Sequence, residues 1–275
     1  MRAKAILEKI IEENRDKPDF YIRNLLKEYL QILILHYIYS SEKYKELFFY
    51  GGTCLARCYD LPRLSEDLDF VDVKKEVDIN HLAKDVRLFL EKEAGLFPST
   101  KVQKFRIYFK FPLLKELGLA KDKAESDYLF VKVEIFSEFD FCDEFEKEFK
   151  PIFKFNHSII VKTFDLPTLM STKIRAVLYR KWEKTSKKGE ALTKVKGRDF
   201  FDLMWFLQKK VEPNFRCIGK IDNKEDLKTE LLKRIERLDG SSVSLDLKNF
   251  VANSHFADDL GSNIKEILKK EIERW

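Results

Sequence analysis

Residues 49–70 read FYGGTCLARCYDLPRLSEDLDF, and the fold turns on how this stretch is read. The chain has nine glycines in 275 residues, yet two stand together at Gly51 and Gly52. Glycine lets the backbone take positive φ and come close to a ligand. Gly51-Gly52-Thr53 leads into what reads as a short helix, 53–60, closed by Pro62. Free amides at a helix N-terminus attract phosphate, and Thr53 adds a hydroxyl donor. Glu66, Asp67 and Asp69 then fall within four positions. DLDFVDV at 67–73 alternates acidic with apolar residues, which predicts a strand carrying Asp67 and Asp69 on one side.

Carboxylates so close repel one another, and a bound cation is the usual compensation. Mg²⁺ takes carboxylate and phosphate oxygens as ligands. Two such ions can clamp the attacking and leaving oxygens of a phosphoryl transfer. Such a site calls for a third carboxylate on a neighbouring strand. Glu134, in the alternating run FVKVEIF, is the candidate; Glu138 and Asp140 fall beyond the expected strand end. Taken singly, a glycine pair reads as a tight turn and an Asp-x-Asp as a solvated strand edge. Their order, Gly-Gly, helix, then Asp-x-Asp on a strand, joins them into a phosphate cradle facing a cation site.

The bulk properties suit a folded globular protein and exclude some classes. Hydrophobic residues make up 44% and charged residues 36%, which suits a folded chain and not a disordered one. The length allows one large domain or two smaller ones. A net charge of +5 permits a nucleic-acid partner without demanding one. Charge is concentrated locally: residues 173–198 are dense in Lys and Arg with only Glu183 and Glu190 against them. The run 180–198 reads either as a solvated face or as an RNA contact. Cys54, Cys58, Cys142 and Cys217 form no Cys-x-x-Cys pair, so neither a zinc site nor a disulfide framework is expected, and a reducing cytosol fits. The N-terminus is not patterned as a signal peptide. The most apolar run, YLQILILHYIY at 29–39, is shorter than the roughly 20 residues of a membrane span. A soluble protein is expected.

Periodicity predicts helices over 2–14, with Ile6, Ile10 and Ile11 on one side, and over 20–40, capped by Asp19 and apolar nearly all round. A further helix is expected over 76–94. Strands are expected over 104–111, 128–136 and 155–164. Beyond 164 the composition turns helical, with helices over 165–182, 198–210, 222–238 and 262–275. The aromatic cluster Phe200, Phe201, Trp205 and Phe206 has the spacing of a helix core. No chemistry is visible at His36, His81, His157 or His255.

The pattern G-G-T, then L-P-R-x-S-x-D-x-D-F, resembles the AbiEii/AbiGii-type nucleotidyltransferase toxin family of the DNA polymerase β-like nucleotidyltransferase superfamily. It stands here as Gly51-Gly52-Thr53, Leu55, Arg57, Tyr59, Leu61, Arg63, Ser65, Asp67, Asp69 and Phe70. A second block agrees: Lys173-Ile174-Arg175-Ala176 fits a K-x-x-A helix, and Arg198-Asp199-Phe200-Phe201-Asp202-Leu203 fits an R-D-x-x-D-L helix. The matched motifs span about 50–205.

The resemblance implies an α+β protein: a polymerase β-like domain over 1–164, its mixed sheet flanked by helices, then a mostly helical domain over 165–275. Asp67 and Asp69 would hold Mg²⁺, or Mn²⁺ in its place, with Glu134 assisting. Gly51, Gly52, Thr53 and Ser65 would meet the phosphates of an NTP, with Arg63 and Arg198 as secondary contacts. Lys173 would face the triphosphate, and Asp199 or Asp202 would orient it or bind the base or sugar; the helical domain thus contributes to the site. Transfer of NMP to an RNA acceptor, the tRNA 3′ end, follows from the resemblance, as does a cognate antitoxin in a cytoplasmic toxin–antitoxin or phage-defence system. Protein nucleotidylylation and a catalytically silent nucleotide-binding or partner-binding module are the alternatives. Each residue also has a plainer reading: Lys173 as a surface lysine, Asp199 as a first-turn acid, Asp202 as a partly buried paired acid, and Arg63 as a partner for Glu66 or Asp67.

Overall fold

The computed structural model describes residues 2–120, 125–180, 184–185, 191–193 and 196–275. The chain divides into two units, Met1–Phe139 with Glu148–Thr163, and Asp140–Lys147 with Phe164–Trp275.

The first unit begins with two helices. In α1 (Arg2–Glu13) the buried face is Ala3, Leu7 and Ile10, with Ile6 and Ile11 at its margins. In α2 (Asp19–Ser40) Leu26, Leu30, Ile32, Ile34, Leu35 and Ile38 are fully buried, as the all-round apolar pattern predicts. Its N-cap is Pro18 and not Asp19; Asp19 sits in the first turn, where its carboxylate faces the positive end of the helix dipole. Next come β1 (Phe48–Tyr50), α3 (Gly51–Cys58) and β2 (Asp67–Val71). α4 (Ile79–Phe89) starts three residues later than periodicity predicts, because the Asp78 side chain accepts from the amides of Asn80 and His81 and fixes the start there. It runs on through a π turn at Leu90–Ala94 and stops at Gly95, which is left-handed.

β3 (Ser99–Gln103), β4 (Arg106–Pro112), β5 (Tyr128–Phe136), β6 (Lys147–Lys154) and β7 (His157–Phe164) complete the strands of this sheet. Among the described residues seven strands line up in the order β3-β4-β5-β2-β1-β7-β6. β1 runs antiparallel to β2 and parallel to β7; β2 runs parallel to β5; β3, β4 and β5 form an antiparallel meander. The sheet is therefore mixed, and α2 lies against β5. Leu68 and Phe70 of β2 and Val131 and Val133 of β5 point into the core beneath it.

The second unit is mostly helical. It holds α5 (Leu166–Tyr179), a two-strand ribbon of β8 (Lys184–Thr185) and β9 (Ala191–Thr193), then α6 (Gly197–Gln208), α7 (Lys224–Glu236), α8 (Gly240–Leu247) and α9 (Ser254–Arg274). Phe200, Phe201, Trp205 and Phe206 of α6 are buried, as their spacing predicts. α9 starts eight residues before the expected helix, with the Asn253 side chain accepting from the His255 amide. The segment 140–147 packs here as well: the Phe141 ring lies 3.7 Å from the Arg175 guanidinium, and the Asn214 side chain donates to the Glu144 carbonyl at 2.7 Å. Cys142 and Cys217 form a disulfide. That corrects the expectation of no disulfide: the two cysteines stand 75 positions apart, and only the return of 140–147 onto this unit brings them together. Such a bond is an exception in a reducing cytosol. No helix among the described residues is long and apolar enough to cross a membrane.

α8 and α9 touch backbone to backbone at Gly240 and Gly261. A Cβ on Gly261 would come within 2.6 Å of the Gly240 carbonyl oxygen and 2.9 Å of the Ser244 Cβ. Helix propensity alone favours Gly261→Ala by about 1 kcal/mol. Overpacking of this crossing is expected to reverse the sign and destabilise by about 1–3 kcal/mol, read as a lower urea midpoint. A higher midpoint would show that the helices separate without cost.

Candidate active site

The site starts from the pleat of β2. Asp67 and Asp69 share one face while Leu68 and Phe70 anchor the other. β5 pairs with β2 in parallel register, Asp69 opposite Glu134 and Asp67 opposite Lys132. β4 carries the row on, with Arg106 opposite Glu134. Three carboxylates and two cations are thus set side by side by strand pairing.

The charges interlock. The Lys132 ammonium lies 2.9 Å from Asp67 and 3.1 Å from Glu134, and Arg106 donates to Glu134 at 2.5 Å. Burial pushes the Glu134 carboxyl up, but Lys132 and Arg106 outweigh it and hold Glu134 below the ordinary range. At Asp67 burial prevails over Lys132, and the carboxyl is raised. Burial disfavours the Lys132 charge, yet Asp67 and Glu134 more than restore it, and its pKa is raised. Among the described residues no three His, Cys, Asp or Glu side chains converge as a ready metal-binding group. The cation between Asp67 and Glu134 is an ammonium, and the donors around it are hard oxygens of the kind Mg²⁺ takes. These oxygens fit a hard divalent ion by type, and Lys132 stands between Asp67 and Glu134.

The glycines meet these carboxylates. Gly51 has φ +79°, and a Cβ there would strike the Asp69 carboxylate. A Cβ on Gly52 would meet the Arg63 guanidinium at 2.7 Å and the Ser65 hydroxyl at 2.9 Å. Gly51, Gly52, Arg63, Ser65 and Asp69 are thus immediate neighbours at the N-terminus of α3. The far end of α3 is tied down by half-buried Arg57, paired with buried Glu28 of α2, which also pairs with Lys154 of β6 at 2.7 Å.

Two of the expected site residues have partners within the protein. Thr53 is buried, and its hydroxyl donates to the Asp67 carbonyl, so it holds α3 against β2. Arg63 is buried and donates to the Leu64 carbonyl at 2.9 Å. Glu66, the third acid of the sequence cluster, pairs with Lys27 at 3.7 Å. Lys132 and Arg106 were not singled out from sequence. The signal for Lys132 was present: it stands two residues before Glu134 in an alternating strand, on the same face.

In the second unit, Lys173 of α5 is buried between Asp202 at 2.8 Å and Asp199 at 3.5 Å, both on α6. Arg180 reaches Asp199 at 2.7 Å. Lys173, Asp199 and Asp202 therefore do come together, and Lys173 is no surface lysine. Arg198 stands apart from them: its backbone amide and Nε donate to Asp246 at 3.0 and 3.3 Å, and its guanidinium stacks 4.0 Å from the Phe250 ring. The basic run 180–198 lies largely outside the described residues.

A family model described as the nucleotidyl transferase AbiEii toxin of a Type IV TA system matches residues 33–271. The chain belongs to this family. It is a nucleotidyltransferase. Two crystal structures from Helicobacter pylori are similar to this AbiEii chain. One is JHP933, at 19% identity and TM-score 0.49, covering 91% of this chain and 94% of that one. The other, a candidate nucleotidyltransferase, has 18% identity and TM-score 0.49, covering 91% and 96%. Among curated proteins no match is found.

The buried cluster of this AbiEii chain has a pH signature. Burial raises the Asp199 carboxyl, but Lys173, Arg180 and Lys196 together bring it below its ordinary value of 3.8. A carboxyl depressed in the folded state stabilises above its unfolded pKa and loses that contribution as pH falls through the folded one. Asp199→Asn is expected to cost about 3 kcal/mol at pH 7, with the gap to the native protein narrowing below about pH 4. Urea unfolding of both proteins at pH 7, 5 and 3.5 measures this, and a pH-independent gap would rule out the charge as the cause.

Proposed function

We propose that the protein transfers a nucleoside monophosphate from an NTP to a hydroxyl of an RNA acceptor, the tRNA 3′ end. The acceptor oxygen bonds to the α-phosphorus, the bond from that phosphorus to the bridging oxygen breaks, and pyrophosphate leaves with the electron pair. The hydroxyl proton passes to solvent or a nearby carboxylate. One observation carries this reading: strand register sets Asp69 opposite Glu134 and beside Asp67, and Gly51 turns against that same Asp69 carboxylate.

Asp67, Asp69 and Glu134 would hold Mg²⁺, which supplies Lewis-acid stabilisation of the charge on the transferring phosphoryl group. Gly51 and Gly52 leave the start of α3 open to phosphate oxygens, and Ser65 adds a hydroxyl beside them. Any side chain at Gly51 or Gly52 would fill that space. The family's description as part of a TA system supports a cognate antitoxin as partner. NTP and tRNA as substrates support a cytoplasmic site of action.

The test is to incubate purified protein with bulk tRNA, Mg²⁺ and each of the four α-labelled NTPs. Label is expected on tRNA with the native protein. Asp67→Asn should lower transfer by at least about a hundredfold, the range typical of a lost charge-stabilising group, with an unchanged melting curve. Label on a protein band in place of tRNA would overturn the RNA acceptor. Undiminished transfer by a folded Asp67→Asn would overturn the metal assignment.

A further inference from the structure

On the other side of the carboxylates from the glycines, the sheet continues as a solvent-facing surface. Strand register sets one row across it, Lys101 of β3, Tyr108 of β4, Lys132 of β5 and Asp67 of β2. A second row, one pleat further on, is Ser99, Lys110 and Phe130. A third adds Pro112 and Tyr128. Phe130 and Tyr128, in the first turns of the pleat of β5 where it pairs with β4 and not yet with β2, are 42% and 43% exposed. Their rings lie 6.2 Å apart, and the Lys110 ammonium sits 5.9 Å from the centre of the Phe130 ring. A cavity of about 450 Å³ opens over the first row and over Lys110 and Phe130 of the second, and runs to Asp67, with Tyr128 beyond its rim.

The charges on this surface are unequal. Lys132 is engaged by Asp67 and Glu134, and Lys27 by Glu66. Among the described residues, neither Lys101 nor Lys110 is held by a carboxylate. Two lysines are thus left to meet outside anions, beside two exposed aromatic faces, at the edge of the reactive carboxylates. Lys101 lies three strand spacings from Asp67, about 14 Å. The surface therefore extends well past the carboxylates.

We infer that this β3–β4–β5 surface is a single-strand platform, which takes the 3′-terminal nucleotides of the acceptor and leads its end to Asp67. Lys101 and Lys110 meet backbone phosphates, and Phe130 and Tyr128 stack unpaired bases. Gln103 and Tyr108, which also line the cavity, supply polar groups at base edges. A sheet face with exposed aromatics between lysines matches the chemistry of unpaired bases on a charged backbone, because every base offers a ring face. A duplex hides those faces, and a protein hydroxyl acceptor has no use for them. The inference rests on the RNA-acceptor reading above and adds where the strand lies.

Binding of a fluorescent single-stranded RNA to the full-length Asp67→Asn protein is measured by anisotropy across salt concentrations. The same is done after adding Lys101→Gln with Lys110→Gln, or Phe130→Ala. All three side chains face solvent, so these variants should fold. The double lysine change is expected to weaken binding at least tenfold at low salt. It should also flatten the log–log salt slope by about 1.4, the value for two phosphate contacts on a single strand. Phe130→Ala should weaken binding roughly tenfold with little change in slope, as for one lost stacked base. Unchanged affinity and slope in these variants would overturn the platform while leaving the transfer reaction standing. Equal affinity for a blunt duplex would overturn the single-strand assignment. Label moving to protein and not RNA in the transfer assay would overturn the acceptor reading itself.

Discussion

The site depends on the parallel register of β2 against β5. Shifting one strand by a single residue would turn its functional side chains into the core and its core side chains to solvent. Leu68 and Phe70 on one side, and Val131 and Val133 on the other, oppose such a slip because they would lose their burial. The hydrophobic side of the sheet thus fixes the distance between acids on the polar side. The same pairing gathers like charges, and Lys132 and Arg106 offset that repulsion from neighbouring positions in the same rows. Acids and their counter-charges come from one ladder, so neither can be placed without the other.

Much of this was legible in the sequence, for definite reasons. The alternation in DLDF and FVKVEIF separates polar from apolar faces so cleanly that both strands and their outward acids can be read directly. α2 and α6 were legible because their apolar residues are dense and regular. β3 and β6 were not: STKVQ and KEFKPIFK expose most of their side chains and carry little hydrophobic signal, and Pro151 argues against a strand except at an edge, where β6 lies. α8 is only eight residues long and is set by its Asp239 cap and its glycine contact more than by periodicity. Within the site, the types of residue were legible and their partners were not. Thr53 looks like any hydroxyl beside a glycine pair, and nothing local says that it turns inward to Asp67. The Cys142–Cys217 bond is a fact of tertiary structure with no local trace.

The second unit places its charges differently. Lys173, Asp199 and Asp202 sit in a buried core between α5 and α6, where taking ions out of water is costly unless each is paired. The pairing is generous: two acids meet Lys173, and Arg180 adds a second cation to Asp199. Such a cluster fixes the rotation of both helices about their axes, because a turn of either would leave a charge buried alone. The apolar face of α6, with Phe201 and Phe206, could tolerate small shifts that this cluster cannot.

The path of the chain has a consequence for how it is made. The segment 140–147 belongs with residues 164–275, although two strands of the first unit follow it in the sequence. During synthesis this segment leaves the ribosome long before Arg175, Asn214 and Cys217, the residues it finally packs against or bonds to. It must wait, solvated, while β7 and β6 are completed at one edge of the first unit's sheet. The second unit therefore cannot be obtained by a single cut after Thr163, since the excised piece would lack the stretch that closes its own core. Discontinuity of this kind makes the chain fold as an interleaved whole, with the last helices deciding when an early loop comes to rest.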